Sequence, residues 1–269
     1  MYGTAWEKSA SADLTEAAIQ AGFRAIDTAN QLKHYNEALV GEGVRRAAGN
    51  GVPREQLFLQ TKFTSLDGQD HRLPYDAKAA PAVQVRQSFE SSLQHFDTDY
   101  IDSFVLHGPD AFGSTRLTEF DWAVWGAMEE LYGSGKAKSL GVSNVTAPQL
   151  KVLCEKAVTK PMFVQNRCYA AMGWDAQVRA ICRDHEIVYQ GFSLLTANGR
   201  EITGATVRGI ASKLGATVAQ VVFKFAIQIG MLPLTGTTDV EHMKEDLACE
   251  QFTLSESDVN AIEHVALRV

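Results

Sequence analysis

Cysteine is scarce in this chain and carries no pattern. Four occur, Cys154, Cys168, Cys182 and Cys249. None forms a CxxC pair or a zinc-ligand spacing, which excludes zinc-ribbon and thioredoxin-type chemistry. Unclustered cysteines read as buried thiols of a reducing compartment. With no secretory leader pattern in the sequence, a cytoplasmic location is the expectation. No apolar run is long enough to span a bilayer as a helix, so no membrane role is expected. HxH and HExxH are missing, so no metal centre is expected. GxSxG is missing too, which argues against a serine-nucleophile hydrolase. Positive charge is in deficit, with 25 Lys+Arg against 32 Asp+Glu and a net charge of −7. Such a chain repels phosphate backbones and anionic lipid, so nucleic acid is not an expected partner. A phosphorylated cofactor would have to bind through local donors.

What is present is a regular alternation. The 269 residues are 45% hydrophobic, enough for a sizeable core without disulfides. Short apolar runs end at polar residues: Phe23–Ile26 at Asp27, Leu57–Thr61 at Lys62, Tyr100–Leu106 at His107, Ser139–Val142 at Ser143 and Met162–Val164 at Gln165. Ile187–Gln190 leads into Gly191, Phe192 and Ser193, and Met231–Leu234 into Thr235. Runs that are apolar on both faces suit parallel strands covered on both sides. Amphipathic stretches at 37–48, 83–96, 122–132, 150–157, 176–183 and 218–229 lie between them, with a last one at 256–266. Gly22, Gly51 and Gly135 fall where helices should stop. With a first strand near Tyr2–Ala5 there are eight strand–helix units. The expectation is α/β, a (β/α)8 TIM barrel in a single domain over 1–269. A doubly wound open sheet is the runner-up. It lacks its GxGxxG fingerprint, because Gly41-Glu42-Gly43 and Gly133-Ser134-Gly135 have no third glycine.

Barrel enzymes carry their chemistry at the carboxyl ends of the strands. Those ends hold Asp27, Lys62, His107, Ser143, Asn144, Gln165, Phe192 and Ser193. Singly, each has a plain alternative: Asp27 as a helix cap, Lys62 as a snorkelling surface lysine, His107 as a turn histidine. Asp27, Lys62 and His107 on consecutive strands make chemical sense together. A carboxylate holds an ammonium charged, the ammonium favours proton loss from a neighbouring phenol, and an imidazole N–H polarises a carbonyl oxygen.

These residues resemble the aldo-keto reductases. The matching stretches are Gly22–Ala29, Tyr35-Asn36-Glu37 with Val40-Gly41, Thr61-Lys62, Asp99–Ser103 with Leu106-His107, Gly141–Asn144, Gln165 and Ala219–Val221, in the family's order over nearly the whole chain. The resemblance implies an NADP(H)- or NAD(H)-dependent oxidoreductase that reduces aldehydes or ketones to alcohols. Asp27, Tyr35, Lys62 and His107 then take the catalytic positions. Ser143, Asn144 and Gln165 hold the nicotinamide carboxamide, Phe192 stacks on its ring, and Ser193 faces the pyrophosphate. Leu195, Thr235, Thr237, His242, Glu245 and Asp246 complete the cofactor positions. Trp6 and His34 line the substrate pocket, although a core aromatic is an equal reading of Trp6. The partner is a small-molecule carbonyl, and the protein a monomer or weak homo-oligomer. The alternative in another class is a catalytically weak, cofactor-binding regulatory subunit on the same fold.

Four departures from the family pattern matter. The N- and C-terminal extensions are shortened, which implies a bare barrel floor and an open, tolerant pocket. Leu234 stands where NADP-preferring members have a lysine. Asp27 and Tyr35 are farther apart than usual, which implies a bulge within Asn30–His34 and makes His34 the rival proton donor.

Overall fold

The computed structural model describes residues 1–268. The strands are β1 Tyr2–Gly3, β2 Ala25–Asp27, β3 Phe58–Phe63, β4 Ser103–Leu106, β5 Leu140–Ser143, β6 Phe163–Arg167, β7 Val188–Phe192 and β8 Met231–Pro233. The helices are α1 Ser11–Ala21, α2 Glu37–Gly49, α3 Pro81–Phe96, α4 Glu119–Gly133, α5 Ala147–Lys156, α6 Ala176–Asp184, α7 Gly199–Ile202, α8 Ala205–Leu214, α9 Val218–Gln228, α10 Val240–Ala248 and α11 Glu256–Glu263. One eight-stranded sheet runs β1 to β8 in chain order. The pairs β1–β2, β2–β3, β3–β4, β4–β5 and β7–β8 are parallel. Sequential parallel strands with helical crossovers are the topology of a (β/α)8 barrel. The chain packs as two compact units, Met1–Val164 and a second that begins at Gln165.

In the first unit β4 and β5 are buried at every residue, and β3 at every residue but its first. In β4 and β5 this follows largely from apolar residues on both faces, whereas β3 buries Gln60, Thr61 and Lys62 only with hydrogen-bond partners. Several boundaries differ from the sequence pattern. Helix α4 starts at Glu119, ahead of its apolar stripe, because Thr118 and Asp121 close a capping box. Helix α3 starts at Pro81, whose fixed φ suits the first turn. Strand β4 begins at Ser103; before it Ile101 makes an isolated parallel bridge to Ala137, and the Asp102 carboxylate accepts from Arg54 Nη2 at 2.6 Å and from the Leu59 amide at 2.9 Å. Helix α2 lies close enough to α3 that a Cβ on Gly41 would sit 2.0 Å from the His95 carbonyl oxygen. Only glycine fits there.

The second unit is held by buried polar anchors. Trp174 donates its indole N–H to the Ile262 carbonyl at 3.2 Å and packs on Phe225. Asn198 receives the Ala170 amide at 2.7 Å and donates to the Cys168 and Leu194 carbonyls. A capping box, Thr217 with Gln220, opens α9. Helix α11 ends at Glu263, and a 3₁₀ turn covers Val265–Arg268 where the sequence pattern extends one helix to Ala266.

A buried acid lies in the β1–α1 connection. Glu7 accepts from the Tyr2 hydroxyl at 2.6 Å, and its Oε2 has no hydrogen-bond partner. Burial pushes its carboxyl up to about 7, against hydrogen bonds from Tyr2 and Ser11 that pull it down. A raised acid favours folding below its unfolded pKa and loses that contribution as pH rises through the folded value. Stability should therefore fall between about pH 4.5 and 7, by on the order of 3 kcal/mol from this group alone. Melting curves of Glu7→Gln should show a shallower decline over that window and gain on the parent at pH 8. Parallel Tm–pH curves for the two proteins would remove Glu7 as the cause.

Candidate active site

Lys62 is the centre of the first unit's polar cluster. Its side chain is fully buried, and burying an ammonium is tolerable only with close counter-charge. Nζ donates to both Asp27 carboxylate oxygens at 2.7 and 2.8 Å and to the Thr28 carbonyl at 2.8 Å. Gln60 Nε2 donates to Asp27 Oδ1 at 2.7 Å and fixes the carboxylate from the other side. Burial pulls the ammonium below the ordinary lysine range, and the charge and hydrogen bonds of Asp27, with the more distant charge of Glu37, oppose it.

The chain between β2 and α2 brings Tyr35 to this pair. The residues beyond the usual spacing form a tight turn, in which the His34 and Tyr35 amides donate to the Gln31 carbonyl at 3.3 and 3.0 Å. The turn is tied down by Gln31 Nε2 donating to the Gly68 carbonyl at 2.6 Å and Gln69 Nε2 donating to the Asn30 carbonyl at 3.0 Å. Past it, the Tyr35 ring centroid lies 5.1 Å from Lys62 Nζ. His107 meets the same ring edge-on, with centroids 5.9 Å apart. Tyr35 thus faces the buried pair and precedes α2; it is not an outward-packing helix residue.

His107 Nδ1 shares a 2.7 Å hydrogen bond with Thr64 Oγ1. Burial, then the charges of Lys62 and His34, push the imidazole down to about 3, so it is neutral in the ordinary assay range. His34 lies near enough to act on His107 but is engaged by a different ring. Its ring packs on Trp6 with centroids 4.2 Å apart, and the Trp6 amide donates to the His34 carbonyl at 2.7 Å. Burial, with Lys33, lowers the His34 pKa. Trp6 is 63% exposed, which excludes the core-aromatic reading of it. After β5, Ser143 is buried and Asn144 adopts φ +53°. Asn144 Nδ2 donates to the His107 carbonyl at 2.8 Å and to Ser143 Oγ at 3.1 Å, so the ends of β4 and β5 are stitched together.

In the second unit, buried Gln165 donates to Gln190 Oε1 at 3.0 Å. Phe192 is half-buried at the end of β7, and the Arg167 guanidinium lies 5.4 Å from its ring centroid. Ser193 follows at φ +57°, and Leu195 is half-buried. Thr235 donates to Asp246 Oδ2 at 2.7 Å; burial raises the Asp246 carboxyl and this bond lowers it. Thr237 Oγ1 accepts from the Asp239 amide at 3.2 Å, and Asp239 caps α10 through the Glu241 and His242 amides. His242 is exposed and Glu245 half-exposed. Lys244 is exposed and pairs with Glu241 at 2.8 Å.

The sequence reading missed Gln60, Thr64 and Gln190 as partners of site residues. Gln60 and Gln190 are polar residues inside otherwise buried strands, a signal that was readable. Among the described residues no group of three His, Cys, Asp or Glu side chains is arranged to hold a metal ion. No single described helix is long and apolar enough to cross a membrane.

Comparison with known proteins bears on the fold and the family. The model of the Aldo/keto reductase family matches residues 2–266. An uncharacterised oxidoreductase of Bacillus subtilis is 30% identical over 96% of this chain and 84% of its own length. Glyoxal reductase of the same organism is 30% identical over 92% of this chain and 80% of its own length. The NAD/NADP-dependent indole-3-acetaldehyde reductase of Schizosaccharomyces pombe is 28% identical over 93% of this chain and 82% of its own length. Among solved structures, an aldo/keto reductase from Brucella melitensis superposes with a TM-score of 0.82 at 26% identity, covering 98% of this chain and 93% of that one. The chain belongs to the aldo/keto reductase family, and its fold class is the (β/α)8 barrel.

Proposed function

We propose that this protein is an NAD(P)H-dependent carbonyl reductase in which Tyr35 donates the proton. The observation that carries the reading is the buried Lys62–Asp27 pair with the Tyr35 ring 5.1 Å from the ammonium. A positive charge beside a phenol favours release of its proton, and Asp27 keeps that charge in place. Tyr35 Oη gives the proton to the carbonyl oxygen. His107 is neutral and can only polarise: in the tautomer in which Thr64 donates to Nδ1, Nε2 carries the N–H that orients the carbonyl oxygen. Trp6 and His34 supply an aromatic wall for the substrate.

The residues at the proposed cofactor positions fit a nicotinamide dinucleotide. Both hydrogen bonds made by the Asn144 side chain are donated, which leaves Oδ1 as the acceptor a carboxamide amine needs. Phe192 offers a flat π face. Ser143, Gln165, Ser193, Leu195, Thr235, Thr237, His242, Glu245 and Asp246 would hold the remaining groups. When bound, the cofactor supplies a hydride to the carbonyl carbon, and the protein's own residues deliver the proton to the oxygen. The direct test is loss of reduced-nicotinamide absorbance against a panel of aldehydes and ketones. No turnover with any of them, together with retained cofactor binding, would sink the reading.

The two cofactors should be used nearly equally. Leu234 is buried and cannot contact a 2′-phosphate, and Lys244 is already paired with Glu241. A missing charge-assisted contact removes about 1.5–3 kcal/mol of NADP selection, roughly ten- to a hundredfold. The kcat/KM values for NADPH and NADH should fall within about tenfold of each other. A preference for NADPH above about a thousandfold would show that another cation binds the phosphate.

A further inference from the structure

A second buried carboxylate stands behind the Lys62–Asp27 pair, and neither the proposed proton transfer nor the cofactor positions use it. Glu37, in the first turn of α2, is 2% exposed. Its Oε1 accepts from Thr61 Oγ1 on β3 and from Ser92 Oγ on α3, the latter at 3.1 Å. Its Oε2 lies 2.7 Å from His95 Nδ1, and because a carboxylate only accepts, that nitrogen carries the proton. Asn30 reaches the same cluster through Ser92 Oγ at 3.4 Å and the Ser88 carbonyl at 3.1 Å. Full burial of a carboxylate is expensive, and here it is answered from two elements, by Thr61 on β3 and by Ser92 and His95 on α3. The position of those elements gives the cluster its meaning. Thr61 immediately precedes Lys62, Asn30 belongs to the loop carrying Tyr35, and Glu37 follows Tyr35 by two residues.

We propose that Glu37 is a positioning residue for the proton donor: it docks the Tyr35 segment onto β3 through Thr61 and holds a second negative charge behind Lys62. This rests on the carbonyl-reductase reading for its kinetic consequence, but the placement of Tyr35 against Lys62 is physical and can be read without turnover. The charged and titratable groups facing the cluster are Asp27 on β2, Lys62 on β3, His95 on α3, Tyr35 before α2 and His107 after β4. Glu37 acts on Lys62 in the same sense as Asp27, favouring the ammonium. Removing its charge makes the first proton loss from the Tyr35–Lys62 pair easier, whichever member releases it.

The test uses Glu37→Gln, which keeps the shape and an acceptor oxygen, and Thr61→Val, which keeps the charge and removes the donor. Phenolate absorbance is titrated in the parent, in both variants and in Tyr35→Phe, whose difference isolates the Tyr35 step. Glu37→Gln should move that step to lower pH by about half a unit or more. The high-pH limb of kcat/KM should move with it, with KM within about twofold. Thr61→Val should lower kcat severalfold and leave the titration where it was. A folded Glu37→Gln with the parent's phenolate step and high-pH limb overturns the proposal. If Glu37→Gln does not fold, parental kcat in Thr61→Val overturns it. An absence of carbonyl reduction in the parent with the shifted phenolate step in Glu37→Gln would instead refute the reductase reading and leave the positioning role standing.

Discussion

Tyr35→Phe should lower kcat for carbonyl reduction by at least about a hundredfold while leaving cofactor affinity intact, because positioned proton donation is worth about 10²–10⁴-fold. Phenylalanine keeps the ring that faces Lys62 and meets His107 edge-on, so the fold has no reason to change. Only the hydroxyl is lost. His34 is the rival donor by residue count, but its ring is turned onto Trp6 and its pKa is lowered by burial and Lys33. His34→Ala should therefore act as a wall mutation, raising KM severalfold with kcat changed by less than about fivefold. Single-turnover rates for the two variants against one aldehyde separate the cases. A dead His34→Ala beside an active Tyr35→Phe would hand the proton to the imidazole.

The order of strands and the candidate site residues Asp27, Lys62 and His107 were legible because each apolar run ended on a single conspicuous polar residue. Asp27, Lys62 and His107 needed no three-dimensional information beyond the rule that strand ends carry the chemistry. Tyr35 was harder. Its place depends on the turn at 31–35, and that turn is fixed by Gln31 and Gln69 bonds to distant backbone, which no local pattern encodes. The same holds for Glu37. In the sequence it is one more acid in the first turn of a helix, where a solvated carboxylate is the ordinary expectation. Its burial arises from the close approach of α2 to α3, permitted by Gly41 against the His95 carbonyl. Helix starts were misplaced by two or three residues wherever caps extended beyond the apolar stripe, as at Thr118 and Pro81. Periodicity reports packing faces, and caps lie outside them. The strand-end rule also reached Gln165, Phe192 and Ser193, but their expected cofactor roles, and those of Leu195, Thr235 and Thr237, came from resemblance, since serine, threonine and leucine at strand ends have no distinctive chemistry.

Lys62→Met should be damaging twice over, and the two losses should separate. Methionine fills much of the lysine's volume but leaves the Asp27 carboxylate, 2% exposed, without its cation. Gln60 still donates a hydrogen bond at 2.7 Å, but a neutral donor does not replace the lost cation. Breaking a buried ion pair from one side typically costs about 3–5 kcal/mol, because the remaining charge stays uncompensated. The single variant should therefore lose that much stability by denaturant titration and show no measurable carbonyl reduction. Adding Asp27→Asn removes the stranded charge while keeping an oxygen for Gln60. Replacing a buried pair by neutral groups of similar volume is often nearly neutral for stability, so the double variant should recover most of the loss. Its activity should not return, since Tyr35 then has no ammonium beside it to favour release of its proton. Recovery of stability without activity shows that the pair is kept for chemistry and that the fold could be held without it. A double variant as unstable as the single one would mean that the Lys62 contact with the Thr28 carbonyl, and not charge compensation, holds the ends of β2 and β3 together.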